Sequence, residues 1–324
     1  MRLALVLALL ATPALAGVEE VTQQHLRPGV AAFAEATEAL AQAARADCTA
    51  EALRPAYDAA WTAWSPIADL RLGPTEPAAL TIAYWPDQRG AGAKALRGLL
   101  ASDAPALRDP AAFAEVSAAA RGFPALDRLL GDPELSGYGT NSPTCTLVQT
   151  VTADMAAQGA ALAEGWQAEA EALASAGEAG NARYLTEDEA FRALYTQILS
   201  ALEFTADTRL GRPLGEPGRP RPTRAEFWRT GRPLPNALAS AEAAVAVAQL
   251  LAEIPLPLTE AALDQVRHAA AAIDDPTFQN IEDPTARLKL EILQQRVRAL
   301  LDIVEAEVGA PRGLQPGFNS RDGD

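Results

Sequence analysis

Along most of this chain, apolar residues return every three or four positions. Val148, Val151, Met155, Leu162 and Trp166 follow that rhythm, and so do Leu293, Val297, Leu301 and Val304. A stripe of this period lies on one face of an α-helix and needs a partner to cover it. Similar stripes run through residues 18–45, 51–70, 111–130, 186–209, 236–253 and 259–272. β-branched runs are rare, and no alternating stretch is long enough for a strand, so the pattern predicts an all-α fold. Pro and Gly cluster at 72–90, 131–144, 211–224 and 231–235, which read as loops.

One stretch is written almost twice. ADLRLG at 68–73 returns as ADTRLG at 206–211, and Tyr57 and Tyr195 each stand 16 residues before the closing glycine. Tyr84-Trp85 followed by Gly90 has its echo in Phe227-Trp228 followed by Gly231. Order kept at nearly one offset points to an internal duplication. Gly73 and Gly211 fall where a helical pattern ends, with Arg71 and Arg209 in the last turn and Pro74 and Pro213 just beyond. The expected architecture is two duplicated halves resembling four-helix bundles, 17–145 and 146–310, with 311–324 a flexible tail.

The first residues, MRLALVLALLATPALAG, change the picture of where the chain works. Arg2, an apolar core from Leu3 to Leu10, and Ala14-Leu15-Ala16 have the layout of a cleaved leader, so 1–16 reads as a signal peptide. The apolar run is too short to span a bilayer, and the expected product is exported to the periplasm or cell envelope and does not cross the membrane. Cys48 and Cys145, the only cysteines, then read as one disulfide. The whole chain carries 27 basic and 42 acidic residues, a net charge of −15, which becomes −16 once Arg2 is removed. A surface this acidic repels phosphate backbones, which argues against nucleic acid as a partner.

Familiar catalytic signatures are missing. His25 and His268 are the only histidines, with no HExxH, no Glu-x-x-His helix pair, no G-x-S-x-G turn and no phosphate loop. Arginine beside aromatic and acidic residues stands out instead. One stretch holds Trp85, Asp87 and Arg89, a second holds Arg121 and Asp127, and a third holds Glu226, Trp228, Arg229 and Arg232. Guanidinium forks bind carboxylate or phosphate and stack on aromatic faces. These residues are candidates for an anion pocket between the halves; the competing reading makes them ties that hold the halves together.

Trp61-x-x-Trp64 leading to Arg71-Leu-Gly-Pro74, then Tyr84-Trp-Pro-Asp87, Arg121-Gly-Phe-Pro-Ala-Leu-Asp127 and Glu226-x-Trp-Arg-x-Gly-Arg232 resemble, in that order, the imelysin-like proteins. This is the M75 peptidase family, which includes iron-regulated bacterial envelope proteins. The resemblance covers nearly all of the chain after the leader. It implies two four-helix bundles related by an approximate two-fold, and a Gly-x-His-x-x-Glu motif proposed as a metal or functional site. At the motif positions stand Gly122, Pro124 and Asp127; proline offers no ligand atom, so a histidine-based site cannot form. The leading expectation is a non-enzymatic protein that takes a small anionic or iron-associated ligand in the cleft, with iron implied by the resemblance alone. The first alternative is a peptidase with Asp127 and Glu226 as acid and base. The second is a module that docks an envelope protein.

Overall fold

The computed structural model describes residues 15–87, 90–101 and 105–314. Most of the leader, Arg89 and the tail from 315 onward lie outside the described residues. The chain is all-α, and the described residues contain no strand. Helices α1 (Leu15–Val21) and α2 (Arg27–Ala46) join through a wide π turn at Thr22–Leu26. Next come α3 (Ala50–Trp64), α4 (Thr75–Ile82), α5 (Ala91–Ala101), α6 (Pro110–Ala114) and α7 (Gly122–Gly131). The long α8 (Pro143–Ala174) leads to α9 (Glu187–Glu203) and the short α10 (Gly211–Leu214). Three more complete the fold: α11 (Pro233–Ala252), α12 (Pro257–Ala271) and α13 (Pro284–Val304).

Helix starts carry their reasons locally. The Ser142 hydroxyl accepts from the Cys145 N–H at 3.1 Å, and Pro143 occupies the first turn of α8, where its missing N–H costs nothing. Asp283 accepts from the N–H groups of Thr285 and Ala286 and starts α13. The stripes named from the sequence on α8 and α13 are all buried.

Helix α2 packs against α3 and α8, α7 closes against α3, α8, α4 and α5, and α6 lies on α8. A second group consists of α9, α11, α12 and α13, and α1 reaches across to lie on α11 and α9. The stripe of α8 therefore seats it with α2, and position 145 falls within its first turn rather than at a break in the chain. Cys48 and Cys145 are bridged, with Cα atoms 5.5 Å apart, tying the α2–α3 link to the start of α8. An aromatic core joins the elements: Trp61 stacks on Phe123 at 4.0 Å, Phe33 meets Trp64 at 4.8 Å, and Phe227 reaches Trp61 at 5.1 Å from the far loop.

Several expectations are corrected. The stripe over 51–70 stops being helical at Trp64, so Arg71 lies in a turn rather than at a helix end. The 111–130 stripe splits, because Gly122 takes φ +57° and a Cβ there would fall on the carbonyl oxygens of Thr81 and Ile82. The span 72–90 contains α4, whose Ala79 and Ile82 are buried. Gly73 is left-handed at φ +49° but lies nine residues past the end of α3 at Trp64 and stops no helix, and Gly211 is helical at φ −69°. A π turn over Phe204–Leu210 continues α9 into α10, and the true stop is Gly215 at φ 58°. Helix α11 is, among the described residues, one that is long and apolar enough to cross a bilayer. It is seated instead in the second group, with Asn236 and Ser240 buried and hydrogen-bonded inward.

Candidate functional site

The three arginine-aromatic stretches meet. A cleft of about 590 Å³, counted out to solvent, opens where the loop after α4, the start of α7 and the loop after α10 come together. The first wall is Tyr84, Trp85, cis-Pro86 and Asp87. Asp87 accepts from the Ala91 and Gly92 N–H groups, both at 2.9 Å, so its charge caps α5.

The floor comes from α7. Pro124 sits in that helix's first turn, where no intrahelical N–H bond is lost. Asp127, three residues on, is buried. Its Oδ1 accepts from the Thr230 N–H at 3.1 Å and the Thr230 hydroxyl at 2.8 Å, and Arg229 Nη1 lies 3.5 Å from Oδ2. Burial pushes the Asp127 pKa up, and the Thr230 bonds and the Arg229 charge oppose it only in part. Tyr57, fully buried behind, shares a 2.9 Å hydrogen bond with the Thr230 hydroxyl. Arg54 donates to the Thr230 carbonyl oxygen. Thr230 is thereby held through its N–H, hydroxyl and carbonyl, and it fixes the turn that carries Phe227, Trp228 and Arg229. Phe227 adopts φ 46°, a left-handed conformation rare for a bulky residue. Its ring is held against Trp61.

The remaining cations come from both sides. Arg128 lies beside Asp127 on α7, Arg229 stacks over the Trp228 ring at 4.5 Å, Arg212 lies over Trp85 at 5.9 Å, and Arg224 stands at the exposed rim. Among the described residues, Arg128, Arg212 and Arg224 make no ion pair, and the buried Arg212 Nε has no acceptor. The cleft thus gathers four guanidiniums around two carboxylates that are already bound to N–H and hydroxyl donors.

Of the residues singled out from the sequence, Trp85, Asp87, Asp127, Trp228 and Arg229 line this cleft. Three do not. Arg121 forms a buried bidentate pair with Asp154, at 3.0 and 2.8 Å. Glu226 accepts from Arg209 at 2.9 Å and from Asn236 at 3.0 Å. Arg232 donates to Asn236 at 3.1 Å and lies over Trp61 at 5.4 Å. These three are internal ties, which corrects their placement in an anion pocket. Asp127 and Glu226 therefore do not face one cleft, so the acid–base pair of the peptidase alternative is not assembled. Arg128, Arg212 and Arg224 were missed. Their signal was density: residues 212–232 hold six arginines against two glutamates in an otherwise acidic chain.

A direct metal site does not fit. Among the described residues, no group of three or more His, Cys, Asp or Glu is arranged to hold a metal ion. His25 is half-buried on the Pro66 carbonyl oxygen at 2.8 Å, and His268 is exposed on α12. The Tyr57 hydroxyl is buried, and its pKa is pushed up by desolvation and by Asp127, which disfavours the phenolate a metal would need.

A family model described as imelysin, peptidase M75, matches residues 23–304. The chain belongs to the imelysin family. Two solved structures share its fold. An imelysin-like protein from Psychrobacter arcticum 273-4 aligns with a TM-score of 0.75 at 14% identity, covering 96% of this chain and 100% of that one. A candidate iron-regulated protein A precursor from Parabacteroides distasonis ATCC 8503 aligns with a TM-score of 0.70 at 14% identity, covering 92% and 96%. No curated protein matches the sequence. Identity this low carries the imelysin fold and nothing about the cleft, whose chemistry rests on this chain's own residues.

Proposed function

We propose that this imelysin-family chain is an exported, non-enzymatic binding protein that holds an anionic ligand in the cleft between its two helix groups. The single observation that carries the reading is the charge balance of the cleft. Asp87 and Asp127 are tied to protein donors, whereas Arg128, Arg212 and Arg224 make no close ion pair among the described residues. Guanidiniums held in a partly desolvated cleft, without protein acceptors, favour an anion that supplies them. The leader-like residues 1–16 and the Cys48–Cys145 bridge support an envelope location, where disulfides persist. A role in iron acquisition follows from the family and from the name of one structural neighbour. With no ligand cluster for a bare ion, iron would arrive as an anionic chelate.

The test uses untagged chain secreted to the periplasm and kept oxidised. Melting curves and calorimetry are run with citrate, ferric citrate, inorganic phosphate and ferric chloride. Binding of one or more of the anions, weakened in Arg128→Gln, supports the reading. Absence of any heat or melting shift with every anion at millimolar levels overturns it. Iron that co-purifies in elemental analysis and survives the arginine substitution overturns it as well.

A further inference from the structure

The four arginines are not spread evenly. Arg128 on α7 and Arg229 on the turn after Phe227 form one pole, and Arg212 on α10 and Arg224 on the following loop form the other. Within each pole the two cations sense one another. Burial lowers the Arg128 pKa and the Arg229 charge lowers it further, against the charges of Asp127, Asp87 and Asp132, which raise it in part. Burial lowers the Arg212 pKa too, and Arg224 adds to it. Each pole also has its own indole: Arg229 over Trp228 at 4.5 Å and Arg212 over Trp85 at 5.9 Å.

Counter-charge is uneven between them. Arg229 lies 3.5 Å from Asp127 and 3.4 Å from Asp132, and Arg128 feels Asp127, Asp87 and Asp132 without pairing closely with any of them, so both cations of this pole are partly balanced. No carboxylate pairs with either cation of the other pole among the described residues, and its buried Arg212 Nε has no hydrogen-bond partner. A single small anion can satisfy one pole and leaves the other repelling itself. Two acidic groups on one frame satisfy both, and the second binds without a further loss of translational freedom.

Resting on the reading of the cleft as an anion site, we infer that its ligand is a compact organic acid with at least two carboxylates, one seated at Arg128 and Arg229 and the other at Arg212 and Arg224. Carboxylate matches the guanidinium fork at each pole. The indoles flank the frame that joins the two acids. Pro124, whose side chain offers no ligand atom, lines the same cleft.

Calorimetry on the mature, disulfide-bonded chain tests this with chosen probes: benzene-1,3-dicarboxylate and citrate against benzoate, acetate and inorganic phosphate. The two polyacids are expected to bind at least about tenfold tighter than either monoacid, since a charged hydrogen bond supplies that much or more. Arg128→Gln and Arg224→Gln, one from each pole, each reduce polyacid affinity by about tenfold or more. Each variant should leave benzoate affinity within about threefold, because the other pole still takes one acid. Arg224 is exposed and makes no ion pair among the described residues, so Arg224→Gln is expected to keep the wild-type melting temperature; Arg128 acts on the buried Asp127, so the fold of Arg128→Gln is checked by the same melt before its affinity is read. Monoacids binding as tightly as the polyacids would overturn the two-pole assignment while leaving an anion cleft in place. Phosphate binding as tightly as citrate would replace the diacid by a single phosphoryl group. Failure of every anion sinks the cleft reading itself.

Discussion

Replacing Arg209 by methionine asks whether a buried ion network joins the two helix groups. Arg209 is 6% exposed and its partner Asp69 10%. Its guanidinium donates to both Asp69 oxygens at 2.9 Å, and its Nε donates to Glu226 at 2.9 Å. Asp69 also accepts from the Ser240 hydroxyl at 2.6 Å. Methionine keeps the length of the side chain but strands two buried carboxylates. Removing one partner of a buried pair costs about 3–5 kcal/mol. A chain of this size unfolds with an entropy of roughly 0.6 kcal/mol/K, so the melting temperature should fall by about 5–8 K. The pH dependence has a definite sign. In the wild type, burial alone would raise the Asp69 pKa, but the Arg209 charge, its hydrogen bonds and Ser240 together hold it below the ordinary carboxylate value. Its contribution is therefore full above the unfolded-state pKa of about 3.9 and is lost as pH falls through the lower folded value. Without Arg209, burial is opposed only by the Ser240 hydrogen bond and the Arg71 charge, the folded pKa rises, and the variant gains stability by taking up protons as pH falls. Its deficit should shrink between neutral pH and about pH 5. Differential scanning calorimetry at both values reads this directly. A deficit below about 1 kcal/mol at neutral pH, or one that does not shrink in acid, refutes the reasoning.

Three other outcomes follow from local geometry. Gly122→Ala should destabilise by about 1–3 kcal/mol or more in urea titration, since φ +57° is strained for alanine and its Cβ meets the Thr81 and Ile82 carbonyl oxygens; a neutral result would deny the close approach of α4 to α7. Opening the Cys48–Cys145 bridge, which spans a sequence separation of 97, should cost about 4–5 kcal/mol in the chain-entropy model, and the native chain should weigh two hydrogens less than its reduced form. Burial lowers the His25 pKa despite its bond to the Pro66 carbonyl, so stability should decline as pH falls below the unfolded-state value of about 6.5, and His25→Gln should flatten that slope; parallel slopes in calorimetric melts would show that His25 is not the source.

The helices with unbroken stripes were legible because period alone decides them: α8 and α13 bury the residues that their spacing named. Helix α4 was not, because its eight residues sit among Pro and Gly and are too few for a period to show. The second six-residue echo misled for a different reason. Its glycine, proline and arginine suit a helix end, yet a π turn carries the chain on and buries Arg209, Pro213 and Leu214. At the cleft, the sequence marked three stretches that the fold brings together, two loops and the start of α7, but not which arginines face inward. Arg121, Glu226 and Arg232 look like binding residues in composition. Only the fold shows that Asp154, Arg209 and Asn236 already occupy them.

The two echoes themselves explain why ties and ligand-facing cations lie so close together. Asp69 of the first six-residue stretch bonds Arg209 of the second, so the two similar segments meet and neutralise each other inside the fold. Their other members do not repeat that pairing, and Asp207 turns outward to Arg298 at 2.6 Å. Three residues after Arg209 comes Arg212, beyond the reach of the buried acids and over Trp85 in the cleft. The rest of the chain makes this exposed charge more telling. With acids outnumbering bases 42 to 27, Arg45, Arg267, Arg287 and Arg298 each meet a carboxylate on the surface. An anion approaching such a protein feels the net repulsion only within a Debye length, about 8 Å at physiological salt, because it is screened farther out. Capture then depends on contact with the guanidiniums, where charge-assisted hydrogen bonds act at short range. Added salt relieves the distant repulsion while weakening the contacts. Association should therefore depend less steeply on ionic strength than it would for a basic protein presenting the same four arginines.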